Sequence, residues 1–172
     1  MPHFLFCVKD TNGRSLHGVI EAENKAEVKR RVRYDDYYLV SANLCRKEEV
    51  FARRVAFQTL TMFTHRMMSM IEAGIPILVV MKILWRQTED KTIQIVVSHM
   101  KFHLEEGGQM SSAMDAFPNI FPPVYRSLVR VGEMSGALVQ ILRKLADYLE
   151  YEIFPVLDQI NSMLLSWTDL KK

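Results

Sequence analysis

Two histidines four residues apart are the first side chains in this sequence whose type and spacing could do chemistry. On a helix, His99 and His103 would share one face, where two imidazole nitrogens can bind one zinc ion. The zinc-protease motif also needs a glutamate directly after the first histidine, and Met100 stands there. No third ligand is evident in the sequence. We therefore expect surface or partly buried histidines here and predict no metal site.

A group of acidic residues could instead hold a divalent cation. Asp147, Glu150 and Glu152 crowd the end of the last predicted helix. Carboxylate oxygens are good ligands for divalent cations, and a cation held here would bridge two copies of the chain. The interpretation that we favour is a solvated helix face. From the sequence alone, a divalent-cation site near these three residues stays open.

The motifs of common enzymes are missing. Gly107-Gly108 follows a helical pattern and lacks the Gly-Lys-Ser/Thr of a phosphate-binding loop. No nucleophile elbow or cysteine-protease motif accompanies the serines, the histidines and the two cysteines. The 172-residue chain has a formal net charge of only +2, which does not favour nucleic-acid binding. The sequence therefore predicts that the protein is not an enzyme and has no catalytic residues, no cofactor and no nucleic-acid partner.

The first 45 residues predict a small ββαβ module. Asp10, Asn12 and Gly13 are typical of a tight turn, which predicts a hairpin between the first two strands. Asn24 is a suitable N-cap for the helix that follows. The predicted elements are strands at residues 4–9 and 17–22, a helix at 23–33 and a strand at 37–44. A charged linker at residues 46–54 follows this module.

From residue 55 onward, apolar side chains recur every three or four residues, which predicts helices. Gly74 suits the end of the first helix and Pro76 the start of the second. The predicted helices are 55–73, 76–87, 92–106, a short helix capped by Ser111 or Ser112, 122–131 and 137–151, with a turn at 132–136. The predicted fold class is therefore mainly α. Because short loops favour antiparallel neighbours, we expect the six helices to form an antiparallel bundle at 55–152, after the ββαβ module and the linker. A helical extension is predicted at 153–172.

Basic residues concentrate in the N-terminal third of the chain. They follow the predicted helix of the module and continue in the linker: Lys29, Arg30, Arg31, Arg33, Arg53 and Arg54. One interpretation is a solvated helix face next to a charged linker. The other is a partner surface that meets acidic lipid headgroups or an acidic protein.

Four motifs, in order, resemble the N-terminal cytoplasmic region of the type II secretion system F protein family. That family also contains the platform proteins of type IV pilus assembly. The motif residues are Glu72, Gly74 and Pro76 in the first motif, Gly107 in the second, Phe117, Pro118, Phe121 and Pro122 in the third, and Gly132, Glu133 and Gly136 in the fourth. The N-terminal module also resembles that of the family.

The resemblance implies a non-enzymatic scaffold whose motif residues are mainly architectural. It implies a bacterial inner-membrane platform with its helical domains in the cytoplasm, coupling an assembly ATPase to the movement of pilin or pseudopilin subunits. Expected partners are that ATPase, other inner-membrane components and further copies of the chain, as a homodimer or higher homo-oligomer. Glu133 would cap the last helix or contact a partner. Residues 153–172 would lead toward a membrane segment beyond Lys172. The alternative is a stand-alone soluble helical adaptor or regulatory protein without that segment.

Overall fold

The computed structural model of the chain describes residues 2–33 and 37–151. Its N-terminal part is a three-stranded antiparallel sheet with the strand order β2-β1-β3. The elements are β1 (His3–Lys9), β2 (Ser15–Glu21), α1 (Lys25–Val32) and β3 (Tyr38–Cys45). The predicted ββαβ module is therefore confirmed. Glu152 and the predicted extension at 153–172 lie outside the described residues.

Local hydrogen bonds explain why these elements begin and end where they do. The Asp10 carboxylate accepts hydrogen bonds from the backbone N–H groups of Asn12 (2.9 Å) and Arg14 (2.8 Å), which closes the hairpin turn. Asn24 caps α1 as predicted, because its side-chain oxygen accepts a hydrogen bond from the backbone N–H of Glu27 at 3.0 Å. Near neighbours in the sequence therefore determine both the turn and the helix start.

Helices make up the rest of the described chain. They are α2 (Lys47–Phe51), α3 (Phe57–Glu72), α4 (Ile77–Gln87), α5 (Lys91–Glu105), α6 (Met110–Asp115), α7 (Pro123–Ser135) and α8, which is helical over residues 138–151. The helices from α3 to α8 correspond to the six that the sequence predicts. The predicted charged linker at 46–54 contains the short helix α2, in which Val50 and Phe51 are buried.

Two details of the predicted helices are wrong. Ser111 and Ser112 lie inside α6, and Gln109 occupies its N-cap position. The predicted turn at 132–136 is helical up to Ser135, and α7 ends at Gly136, which has a φ of +71°. The glycine inside α7 has a packing role. A Cβ on Gly132 would lie 3.1 Å from the Cα of Leu138, so α8 could not approach α7 as closely with a larger residue there.

The outer edge of β2 is closed by side chains of α4 and α5. The backbone N–H of His17 donates to Gln94 Oε1 (3.0 Å), and that of Val19 donates to Ser98 Oγ (2.9 Å). The indole N–H of Trp85 donates to the carbonyl of His17 at 2.7 Å. These buried polar side chains satisfy backbone groups that an edge strand otherwise leaves unpaired.

The sheet and the helices share one apolar core. The ring of Phe6 in β1 packs edge-on against Trp85 and Phe102, with ring centroids 6.1 Å apart in both pairs. Gly18 permits this approach, because a Cβ there would lie 2.3 Å from the Phe6 ring. Across residues 2–33 and 37–151, none of the helices combines the length and the apolar character that crossing a bilayer requires.

Candidate interaction site

Glu133 connects two helices that are distant in sequence. It lies in the last turn of α7, where its Oε1 accepts a hydrogen bond from the backbone N–H of Met110 (2.6 Å) and its Oε2 accepts one from Ser111 (3.1 Å). The first N–H groups of a helix have no partner within it, and a carboxylate complements both their hydrogen bonding and the helix dipole. Glu133 therefore caps α6. The expectation that it caps the last helix is wrong, because the residues around it are helical rather than a turn.

The loop between α5 and α6 is closely packed around Gly107 and Gly108. Gly107 has a φ of +83°, which ends α5, and the N–H of Gly108 donates to the carbonyl of His103 at 2.9 Å. The His103 ring lies against Gly108, where a Cβ would come within 2.2 Å of Nε2. That nitrogen is 2.8 Å from Ser112 Oγ in α6. His103 is therefore a structural residue of this loop.

The aromatic residues of the third motif are buried, and its prolines are exposed. Phe117 packs against Phe51 (ring centroids 4.9 Å apart) and His99 (5.3 Å). Phe121 packs against Phe63 and Tyr125, at 6.2 Å and 5.3 Å between centroids. Pro118 and Pro122 are exposed, and Pro122 occupies the N-cap position of α7. The motif therefore anchors the α6–α7 connection in the core.

The histidine pair belongs to this aromatic cluster. The rings of His99 and His103 are stacked, with centroids 6.3 Å apart and planes 17° apart. Within residues 2–33 and 37–151, no three histidine, cysteine or acidic side chains are grouped closely enough to hold a metal ion. Asp147 and Glu150 are exposed, and Glu150 Oε1 lies 2.8 Å from His65 Nε2 of α3. Part of the acidic group therefore pairs with a histidine.

The first motif positions α3 relative to α4 and α8. Gly74 has a φ of +80°, as its place after a helix predicts, and Pro76 is the N-cap residue of α4. Glu72 pairs with Arg143 of α8. Together with the contact between His65 and Glu150, this pair gives α3 and α8 two polar links. Residues of the first motif thus lie where α3 ends and α4 begins, and Glu72 links α3 to α8.

The six basic residues do not have one role. Lys29, Arg30 and Arg33 are exposed on or directly after α1 and line one shallow cleft. Arg31 instead joins elements: it donates to the carbonyl of Glu21 (3.1 Å), pairs with Glu106 (2.6 Å) and covers the ring of Phe102. Arg53 and Arg54 follow α2, with Arg53 half-buried and Arg54 exposed. Only part of the predicted partner surface is therefore free to meet a partner.

Two lysines of the helical region that sequence reasoning missed lie next to this surface. Lys82 of α4 and Lys101 of α5 line a cleft together with Arg30 and Arg31 of α1. The side chain of Lys101 is 5% exposed, and its Nζ lies 4.7 Å from the centroid of the Phe102 ring and 3.6 Å from Glu105 Oε1. In the sequence, each of these lysines lies in a largely apolar helical segment. Such a position does not indicate that α1 lies opposite.

Among the residues that the structure describes, His17, Cys45 and Tyr125 have shifted pKa values. Burial raises the pKa of Tyr125, whose hydroxyl lies 2.9 Å from that of Thr64 in the core. Burial also raises the pKa of the Cys45 thiol. Burial lowers the pKa of His17, and the nearby charges of Lys91 and Arg53 lower it further. These groups lie in separate parts of the fold and form no acid–base pair.

Comparison with known proteins gives a family assignment. The family described as type II secretion system (T2SS), protein F matches residues 63–163. The chain is 27% identical over 158 residues to a type II secretion system protein F of Vibrio cholerae, covering 87% of this chain and 39% of that protein. It is 31% identical over 160 residues to the type IV pilus assembly protein PilC of Thermus thermophilus, covering 89% of this chain and 39% of that protein.

This chain thus spans about two-fifths of the length of the relatives that it matches, since the match covers 39% of each. The matched segment, residues 63–163, contains the four motifs. Of their residues, Glu133 caps α6, Gly74 and Gly107 have positive φ after helix ends, and Phe117 and Phe121 are buried. The chain therefore belongs to the family of type II secretion system protein F and type IV pilus assembly protein PilC, which are non-enzymatic platform proteins.

Proposed function

We propose that this chain is the cytoplasmic scaffold domain of a bacterial inner-membrane platform protein for type IV pilus assembly or type II secretion. In this role it couples an assembly ATPase to the movement of pilin or pseudopilin subunits through protein–protein contacts. The observation that carries the proposal is the family match over residues 63–163. The contacts of the motif residues also support the proposal, because Glu133 caps α6 and Phe117 and Phe121 are buried in the core.

Exposed faces at separate places on the structure support a scaffold that contacts several partners. The outer face of α1 carries exposed cations, which suit an acidic partner. The outer face of α7 carries Val124, Val131 and Met134, which are 60%, 54% and 78% exposed. Their spacing of seven and three residues places them along one stripe of the helix. Exposed apolar side chains in such a stripe suit contact with another helix, in a second copy or in another component of the machine.

Attachment to the membrane belongs to the same proposal. The chain covers only 39% of its relatives from Vibrio cholerae and Thermus thermophilus. The proposal places the membrane contact in segments outside this chain. The alternative function, a stand-alone helical adaptor or regulatory protein, needs no such segments.

Fractionation of the natural gene product in its own cells separates the two functions. A product clearly heavier than 20.0 kDa that is held in the inner membrane supports the platform. A product of 20.0 kDa in the soluble fraction contradicts it and favours the adaptor. Deletion of the gene should abolish surface pili or protein secretion if the platform role is correct, whereas unchanged piliation and secretion would exclude it.

A further inference from the structure

The outer edge of β3 is open, in contrast to the outer edge of β2. In the strand order β2-β1-β3, both β2 and β3 lie at an edge of the sheet. Side chains of α4 and α5 close the edge of β2. Among the described residues, no hydrogen bond joins β3 to any strand or helix other than β1. An edge with unpaired backbone groups is a template on which another strand can pair.

The hydrogen-bonding pattern identifies the unpaired backbone groups of this edge. Along an antiparallel strand, residues bond alternately to the neighbour on one side and to the neighbour on the other. Because the N–H groups of His17 and Val19 in β2 point outward, even-numbered residues of β1 bond to β2 and odd-numbered ones to β3. The register between β1 and β3 then leaves the N–H and C=O groups of Ala42 and Leu44 pointing away from the sheet. The shift in that register lies beyond Ser41, outside this part of β3.

The residues of β3 favour pairing at this edge. Edge strands of natural proteins often carry charged residues or prolines that prevent contact with other strands. The sequence of β3 is Tyr-Leu-Val-Ser-Ala-Asn-Leu-Cys, which contains neither. Three of its apolar side chains are exposed: Tyr38 by 71%, Val40 by 58% and Leu44 by 67%. A strand bound at the edge would cover part of this apolar surface.

Two lysines of α1 lie on the same side of the molecule as the open edge. The helix packs against β3 and buries Val28, whereas Arg31 reaches Glu106 of α5, which lies at the β2 edge. Because a helix turns by about 100° per residue, Lys25 and Lys29 lie on the side of α1 opposite Arg31, away from α5. Both lysines are exposed, and among the described residues no carboxylate pairs with either of them.

These lysines distinguish the possible occupants of the edge. A second copy paired through β3 about a two-fold axis would bring its own Lys25 and Lys29 next to those of the first copy. Like charges placed in this way oppose pairing, and lysines commonly protect sheet edges by this effect. A membrane surface attracts lysines but offers no row of backbone groups to a strand. An extended segment that carries carboxylates gains from both the lysines and the open edge.

We infer that the open edge of β3 binds an extended acidic segment of a protein partner as a fourth strand of the sheet. The backbone of the segment pairs with the outward groups of Ala42 and Leu44, and its carboxylates approach Lys25 and Lys29. Backbone hydrogen bonds supply the affinity in this mode of recognition, and side chains supply the specificity. The inference rests on the proposed function in that it gives the acidic partner of α1 a defined site.

The test is fluorescence anisotropy of labelled peptides titrated with the 172-residue chain. The first peptide has the core Thr-Val-Thr-Val-Thr between two pairs of glutamates and carries fluorescein. The second has the same charge but two consecutive prolines in its core, so one of them meets β3 in either register. The third has lysines in place of the glutamates. We expect the second and third peptides to bind at least about tenfold more weakly than the first.

Variants of the chain locate the binding. Leu44→Pro removes an outward N–H group that β1 does not use, and it should weaken binding of the first peptide about tenfold. Lys29→Glu should weaken it about fivefold, because a carboxylate then faces the acidic segment. The matched control is Lys144→Glu, which makes the same change at an exposed position of α8 and should alter the affinity less than about twofold. Melting temperatures show that each variant is folded, and Lys29→Glu keeps the test decisive if Leu44→Pro does not fold.

Several results would overturn the inference. If the first peptide does not bind, or if the proline peptide binds equally well, the edge does not pair with a strand. Equal effects of Lys29→Glu and Lys144→Glu would mean that the lysines of α1 select nothing. A dimer in analytical ultracentrifugation that dissociates on Leu44→Pro would assign the edge to a second copy, and displacement of the peptide by phosphatidylserine vesicles would assign it to a membrane. Because fractionation of the natural protein does not depend on β3, the two proposals can fail separately.

Discussion

Replacement of Glu133 should destabilise the protein because this carboxylate caps α6 from another helix. Its two oxygens accept hydrogen bonds from the N–H groups of Met110 and Ser111 at 2.6 Å and 3.1 Å. Glu133→Ala removes both acceptors, and no side chain of α6 replaces them, since Gln109 at the N-cap makes no capping hydrogen bond. Glu133→Gln keeps one oxygen and therefore one of the two bonds.

The expected magnitude follows from these bonds. A hydrogen bond to a charged group contributes about 1.5–3 kcal/mol, and the loss of a helix N-cap costs about 1 kcal/mol. Glu133 is half-buried, so water can replace part of what is lost. We therefore expect a decrease in the free energy of unfolding of about 2 kcal/mol for Glu133→Ala and about 1 kcal/mol for Glu133→Gln.

Urea unfolding followed by circular dichroism measures this decrease in the free energy of unfolding. With a denaturant slope of about 2 kcal/mol per molar urea, Glu133→Ala should lower the midpoint by about 1 M. Amide hydrogen exchange of Met110 and Ser111 should accelerate in the same variant. The control is Glu89→Ala, which changes an exposed glutamate in the loop before α5 and should stay within about 0.5 kcal/mol of the parent. A Glu133→Ala variant as stable as that control would refute the capping role.

Three further predictions concern backbone geometry and pH. Gly18→Ala should cost about 2 kcal/mol in urea unfolding, because its Cβ would lie 2.3 Å from Phe6 and 2.7 Å from Ser98 Oγ; an unchanged midpoint would contradict this contact. Gly74→Val should cost about 1–2 kcal/mol through its positive φ alone, since open space surrounds the site, and equal stability would show that the turn relaxes freely. The lowered pKa of His17 means that the unfolded state binds its proton more tightly, so acidification through about pH 6.5 should destabilise the fold. His17→Asn should reduce this loss between about pH 7.5 and 5.5, and parallel stability curves would exclude the effect.

The secondary structure was largely predictable because its signals are local. The Asp10 turn, the Asn24 cap and the positive φ of Gly74 each depend on residues within a few positions along the chain. The apolar repeat likewise predicts α3 to α8. The error at residues 132–136 has a local cause too: two glycines in five residues indicate a turn, although only Gly136 ends the helix.

The candidate site was less predictable, since its contacts join distant segments. From the sequence, Arg31 is one cation in a run of basic residues that we expected to be exposed. In the structure it instead contacts Glu21, Phe102 and Glu106. Lys82 and Lys101 lie far from α1 in the sequence, and only the packing of α5 beside the sheet brings them to one cleft. The spacing of residues within one helix does not predict contacts between helices that are distant in the sequence.

The family, the order of the elements and most helix boundaries are evident from the amino-acid sequence. Those properties follow from apolar spacing, turn chemistry and short motifs, which act over a few residues. Only the folded chain shows that Glu133 caps α6, that the edge of β2 is closed by Gln94, Ser98 and Trp85, and that a cleft with several cations lies between the module and the helices. These contacts depend on folding because a buried polar group needs a hydrogen-bond partner. In each case that partner lies far away in the sequence, and only the folded chain brings the two together.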